Sequence, residues 1–521
     1  MESMTTTTRF ISMAAAVLAA AIMTACAGGD ELADTPQQPE NQSKTITLTT
    51  TVGLGGANGG ATTRALTSGG VKTFAEGDRM AVIYKNMSGQ TVKAVSEALK
   101  PEDITTTGEP LTDKKNATFT VTLDAPDCDA PIRYIYPAAM AKETVATDAA
   151  IDDAGTVDLT KLNAQNGKLA TLGSTLDLCT LDATDWTSGE LPSGTLLNQL
   201  AVLAVTVKDA GGAYDITSGI KGLTVSDGTN SYTATGCDAD GHIYLAMLPT
   251  DNADITVTAT DGLINYEKTL ADKKTYEASN FYNVGWRMMP TKTTPLTMEA
   301  LTAGNIVVKT PVAAMIYSKN GRSRTSINKG GTTPISVEAG DKVQFYGNSN
   351  YYFFSESNYN NIAGGTAKVK VYGNIMSLVD ETDFATKTTL NATYHYAFAY
   401  FFYGNTNLTD ASGLLLPATT LVEGCYAGMF YNCTNLTIAP VLPAETLVTS
   451  CYMNMFFGCT KLNSVTCLAT NISASNCTGG WLFNAGTQVT GTKTFTTPST
   501  TNWSIKTGID GIPSGWTRVN Y

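Results

Sequence analysis

Apolar and polar residues alternate with a period of two in many short stretches of the first half of the chain. Thr118-Phe119-Thr120-Val121-Thr122-Leu123 alternates without a break, and Thr45-Ile46-Thr47-Leu48, Val205-Thr206-Val207 and Ile255-Thr256-Val257-Thr258-Ala259 do so more briefly. A strand turns successive side chains to opposite faces, so this pattern in Thr and Val predicts half-buried strands. Clusters of Gly, Asp and Asn punctuate them at hairpin spacing. Residues 45–289 carry no long amphipathic helical pattern, and many short strands predict a β-sandwich or two in tandem. Residues 286–295 hold two prolines and few apolar residues, and read as a linker. A small β module follows within 290–380. In it, residues 335–345 read as a hairpin bending at Gly340-Asp341, Lys368-Val369-Lys370-Val371 alternates, and residues 373–378 follow.

A longer period then takes over. Leu416-Pro417-Ala418 recurs as Leu442-Pro443-Ala444, Cys425-Tyr426 as Cys451-Tyr452, and Met429-Phe430 as Met455-Phe456. Cys433 recurs as Cys459 and Leu436 as Leu462, every pair 26 apart. A degenerate copy precedes at Phe402 and Leu408, and another follows at Leu468, Cys477 and Trp481-Leu482. A period in the twenties predicts coils that stack to bury a shared core. Cys425, Met429 and Cys433, at i, i+4 and i+8, predict one face of a short helix in each coil. Leu436 and Ile438 predict a short strand.

The amino-terminal pattern differs again. Arg9 precedes an apolar run over residues 10–25, broken only by Ser12 and Thr24. The run is short for a bilayer span, which takes ~20 residues, and it suits the apolar region of a secretory signal. It ends in Met23-Thr24-Ala25-Cys26. Residues 27–44 are too polar to fold and read as a disordered tether.

Composition and chemistry narrow the picture. The formal net charge is −12 with only 15% charged residues, which gives no electrostatic reason to bind nucleic acid. Besides Cys26 there are nine cysteines, six of them after residue 424, and an odd number argues against a complete disulfide framework. No CxxC occurs and no histidine lies near, so the repeat cysteines read as buried, reduced thiols and not as metal ligands. The glycine-rich residues 53–60 lack the lysine and Ser/Thr of a phosphate loop and read as a plain loop. His242 and His395 have no motif partners, and neither GxSxG nor HExxH occurs. A glycosidase's carboxylate pair needs no fixed spacing, so the pattern alone does not exclude it. Turns such as Asp124-Ala125-Pro126-Asp127 match no EF-hand. The expectation is a non-enzyme with no catalytic residue, cofactor or metal. Tyr351, Tyr352, Phe353 and Tyr359, set among Asn and Ser, are the candidate recognition surface. The dense aromatic run over residues 394–403 reads as core.

Three resemblances sharpen these readings. Met23-Thr24-Ala25-Cys26 resembles the lipobox of bacterial lipoproteins, which implies signal removal before Cys26 and lipid attachment to it. Asp30-Glu31 resembles the surface-export signal of lipoproteins in anaerobic Gram-negative commensals. Thr63-Arg64, Phe74-Ala75-Glu76-Gly77-Asp78 leading into residues 80–84, Tyr134-Ile135-Tyr136-Pro137, residues 243–248 before Pro249, and a closing stretch over 276–284 resemble fimbrillin-family proteins. That likeness implies a tandem β-sandwich, pilus assembly by strand exchange, and Arg64 as a place for proteolytic maturation. The repeats, Cys467-Leu468-Ala469-Thr470, Trp481-Leu482 and Gly511-Ile512-Pro513-Ser514-Gly515-Trp516 resemble the BspA-like leucine-rich-repeat family, whose members serve in adhesion and co-aggregation.

The resulting layout is mainly β. A signal peptide occupies 1–25, a tether 26–44, a fimbrillin-like sandwich region 45–289, a linker and small β module 290–380, and a short leucine-rich-repeat solenoid with its cap 381–521. The expected role is a lipid-anchored outer-membrane adhesin binding a host matrix or bacterial surface protein. An accessory or tip subunit of a fimbrium, bound to pilus subunits, and a glycan-binding lipoprotein are the alternatives.

Overall fold

The computed structural model describes residues 45–54, 73–105, 114–152, 154–184, 186, 190–347, 354–355, 358–390, 395–506 and 508–521. Cys26, the signal and tether readings, and Arg64 lie outside them. The described chain is mainly β. Among the described residues no helix is long and apolar enough to cross a membrane.

The strand Thr45–Leu54 opens the fold and takes in Gly53, which the sequence pattern placed in a loop. It pairs antiparallel with Asn116–Asp124 along nearly its whole length, and parallel with Gly194–Asn198 on its other side. These strands belong to an eight-stranded sheet. The strict alternation around Thr118 does what it predicts: Ala117, Phe119, Val121 and Leu123 are buried, and their neighbours are not. Phe74, Tyr134 and Tyr136 fill the same core.

A second body places a three-stranded sheet against a six-stranded one. The central strand of the smaller sheet, Ala201–Lys208, pairs antiparallel with Ile243–Met247 and parallel with Phe281–Arg287. Buried on both faces, it reads as a run of apolar residues. The closing stretch 276–284 spans parts of two strands: Lys274–Tyr276 pairs with Thr250–Ala253, while Phe281–Arg287 joins the central strand. The stretch 286–295 is no free linker. Met289–Pro290 is an edge strand of the six-stranded sheet, and Trp286 and Met288 are buried. Two apolar side chains suffice to seat it, and Pro290 fits an edge, where the missing N–H costs nothing.

The third body is built on a ten-stranded sheet. Its antiparallel part includes Thr297–Ala300, Met315–Lys319, Lys342–Tyr346 and Val369–Asn374. The predicted hairpin at Gly340-Asp341 does not form. Gly331–Val337 pairs with Gly304–Thr310 in a separate sheet, while Lys342–Tyr346 pairs with Thr297–Ala300 and Met315–Lys319. The turn therefore crosses between layers, and a crossing turn has the same local chemistry as a hairpin turn. After Val369–Asn374 the chain makes a short 3-10 turn, Ile375–Leu378. From Val369–Asn374 the sheet continues as a parallel ladder through Leu408–Leu415, Ile438–Leu442, Ser464–Cys467, Lys493–Thr497 and Trp516–Asn520. One hydrophobic core runs from Leu296 to Trp516.

The helix expected in each coil is absent. Gly424, Gly428 and Asn432 have φ near +60°, as do Ser450 and Asn454, and Asn476, Gly480 and Asn484. A left-handed residue at every fourth position breaks any α-helix. The N–H groups alternate between two partners. Those of Cys425, Ala427, Met429 and Tyr431 bond three residues back, to Val422, Gly424, Tyr426 and Gly428. Those of Tyr426, Gly428, Phe430 and Asn432 bond across to Cys451, Met453, Met455 and Phe457 of the next coil. A four-residue turn spiral with lateral bonds replaces the helix, and the i, i+4, i+8 spacing of Cys425, Met429 and Cys433 fits it equally well.

Candidate recognition surface

The coil register stacks equivalent side chains directly over one another. Phe402, Phe430 and Phe456 form an inner column with centroids 5.4 and 5.5 Å apart. Phe398, Tyr426, Tyr452, Trp481 and Trp503 form a second, and Trp503 closes its end at 5.5 Å from Trp481. All but Trp503 in these columns are essentially inaccessible.

One residue further along each coil, a third column faces outward. Tyr403, Tyr431, Phe457 and Phe483 stack with centroids 5.3, 4.5 and 4.9 Å apart. Tyr431 and Phe457 are parallel to within 1°. Tyr403 and Phe483 are each 37% exposed, and the two between them are partly exposed. Tyr359 widens the column at one end, with its ring 5.1 Å from Tyr400 and 6.0 Å from Tyr403. The result is an aromatic stripe across four coils. A side column of Gly404, Asn432, Gly458 and Asn484 runs beside it, each next in sequence to an aromatic residue.

Electrostatics at the stripe are quiet. The hydroxyls of Tyr359 and Tyr400 are held above their ordinary range, chiefly by burial. His395 stands 3.4 Å from Glu423 at the edge of the array, exposed. Among the described residues no group of His, Cys, Asp or Glu is arranged to hold a metal ion. The stripe offers apolar ring edges, amide groups and a few phenol hydroxyls, which is binding chemistry.

The expected site residues fare unequally. Tyr359 joins the stripe, while Tyr351, Tyr352 and Phe353 lie outside the described residues. The run over 394–403, read as core, divides. Phe398, Phe401 and Phe402 are buried, Tyr396 and Tyr400 are half-buried, and Tyr403 is exposed. Sequence reasoning passed over Tyr431, Phe457 and Phe483. The signal was there: an aromatic residue follows Phe430, Phe456 and Leu482 at each repeat. The six repeat cysteines are buried and free, as are their Met and Phe neighbours in the core.

No family model matches the sequence, and no curated protein matches it. Among solved structures, a fimbrial assembly protein from Parabacteroides distasonis aligns at 10% identity and a TM-score of 0.27, over 47% of this chain and 92% of its own. A protein from Bacteroides fragilis, provisionally described as a cell adhesion protein, aligns at 13% identity and a TM-score of 0.25, over 55% of this chain and 99% of its own. A similarly described protein from Bacteroides uniformis aligns at 16% identity and a TM-score of 0.24, over 46% and 94%. At these scores the likeness establishes neither a shared family nor a shared function.

Proposed function

We propose that this protein is a non-enzymatic surface adhesin that binds a protein partner along the stripe of Tyr403, Tyr431, Phe457 and Phe483, held to the outer membrane by lipid on Cys26. The observation that carries the reading is an exposed, rigid aromatic column on a repeat scaffold. Large aromatics fixed by packing lose little conformational entropy on binding, and such residues dominate the energetics of protein interfaces. The stacking also separates protein from glycan. A sugar ring docks on an open aromatic face, but in this column the faces of Tyr431 and Phe457 are covered by the rings on either side. Ring edges and adjacent amides suit a peptide surface better.

The test is binding of the purified protein to a panel of immobilised matrix proteins and to whole bacterial cells, beside a Tyr431→Ser/Phe457→Ser variant. The expected outcome is saturable binding to at least one protein target, weakened ten-fold or more in the variant, from ~1.4 kcal/mol or more of lost contact. Equal binding by both proteins removes the stripe from the function, and binding confined to a glycan array overturns the protein-partner reading.

A second reading, as a pilus subunit, rests on one element. Thr45–Leu54 is a single strand between two others of its sheet, the kind of element that an incoming strand can replace. Boiling-sensitive ladders on gels of sheared surface material would favour it.

A further inference from the structure

We propose that Lys370 and Asp209 form an intramolecular amide bond, with Glu299 carrying the protons, so that the second and third bodies of the fold are joined covalently. Three elements meet at this point. Lys370 lies in the strand Val369–Asn374 and faces Glu299 directly across the antiparallel pair with Thr297–Ala300. Asp209 follows the strand Ala201–Lys208 of the second body. The Lys370 Nζ is 3.5 Å from Asp209 Oδ2 and 3.5 Å from Glu299 Oε1, and its side chain is only 7% exposed.

This is not the geometry of an optimised ion pair. Charge-assisted bonds close to about 2.7–2.9 Å, whereas here one ammonium is shared by two carboxylates and tight on neither. The 3.5 Å contact is with Oδ2, the oxygen that departs, which sets Nζ beside the carboxyl carbon bonded to it. The surroundings are aromatic: the Tyr214 ring lies 4.9 Å from Nζ, and the Tyr372 hydroxyl donates to Glu299 Oε2 at 2.8 Å. A third carboxyl, Asp410, is buried on the adjoining strand and held above the ordinary carboxylate range by that burial. Packing is close enough that a Cβ at Gly211 would meet Asp410 Oδ2 at 2.5 Å. Charges buried this way are costly to keep, and an amide discharges both partners.

The chemistry balances. A proton passes from the ammonium to Oδ2 of Asp209, which leaves a neutral amine facing a protonated Asp209. The amine nitrogen attacks Cγ of Asp209. The Tyr214 N–H, 3.2 Å from Oδ1, donates to the oxygen on which negative charge develops. Glu299 accepts the proton that nitrogen sheds and returns it to Oδ2, which departs as water. One C–N bond forms, one C–O bond breaks, and no oxidant or co-reactant enters.

Tandem mass spectrometry of a tryptic digest of the full-length protein tests this. The expected product is a branched species, residues 209–221 joined to residues 369–387 with the mass of one water missing and no cleavage after Lys370. A Glu299→Gln variant keeps a partner for the Tyr372 hydroxyl but cannot shuttle protons, so the same digest is expected to yield the linear peptides from a folded chain. Only linear peptides from the wild-type protein would overturn the proposal and leave an ion pair. A branch to Glu299 would overturn the assignment of Asp209, and full branching in Glu299→Gln would overturn the role of Glu299.

Discussion

At Gly428 the backbone φ is +58°, and a Cβ there would lie 2.3 Å from the ring of Tyr400 in the preceding coil. Alanine must therefore bear a left-handed backbone, about 1–2 kcal/mol, together with displacement of an aromatic ring. Gly428→Ala is expected to lower unfolding stability by at least that amount in urea titration. Asn432→Gly, at the next left-handed position, is expected to be nearly neutral, because glycine accepts this φ freely. Comparable losses from both would show that the turn spiral is not what these residues serve. The spiral was legible one residue at a time. Gly or Asn recurs at every fourth place in Gly424, Gly428 and Asn432, and a helix has no use for such residues. The i, i+4 spacing of the apolar side chains hid it, because a four-residue turn and a 3.6-residue turn differ little over three repeats.

Within each coil the cysteines are packing elements. Cys433 and Cys459 donate through Sγ to the carbonyls of Phe402 and Phe430, at 3.1 and 3.0 Å, tying coil to coil. Burial pushes the Cys425 and Cys467 thiols up to about 12. At neutral pH the reactive thiolate is then scarce, and reagent has no path to it. Native protein treated with iodoacetamide is expected to modify Cys128 and Cys237 first, since both are partly exposed, and to modify the six repeat thiols only after denaturant is added. Rapid labelling of Cys425 or Cys467 in the folded state would contradict the close-packed coil core. Burial was readable from the cysteines' register with Met and Phe. Their cross-coil hydrogen bonds were not, because the acceptors lie a whole repeat away.

At the scale of the molecule, the small β module and the repeats share one sheet and one core, joined where Val369–Asn374 pairs with Leu408–Leu415. A fragment of residues 381–521 loses the strand on which the parallel ladder begins and leaves apolar side chains uncovered. It is expected to aggregate or to lack a cooperative thermal transition, whereas residues 290–521 are expected to unfold in a single one, both followed by circular dichroism. An independently cooperative 381–521 would show that the two halves of this sheet are separable. What the sequence by itself determined was the broad character of the two halves: period two made strands, a 26-residue period made stacked coils, and buried apolar side chains set the inward faces, all because these depend on neighbours within a few residues or one repeat. Only the tertiary structure decided the rest. It chose which strands pair across the turn at Gly340-Asp341, seated residues 286–295 in a sheet, aligned Tyr403, Tyr431, Phe457 and Phe483 into an outward column, and brought Asp209 to Lys370. Each of these is a contact between residues far apart in the chain, set by how whole layers pack, and only the aromatic column left a trace in the pattern, in the aromatic residue after Phe430, Phe456 and Leu482.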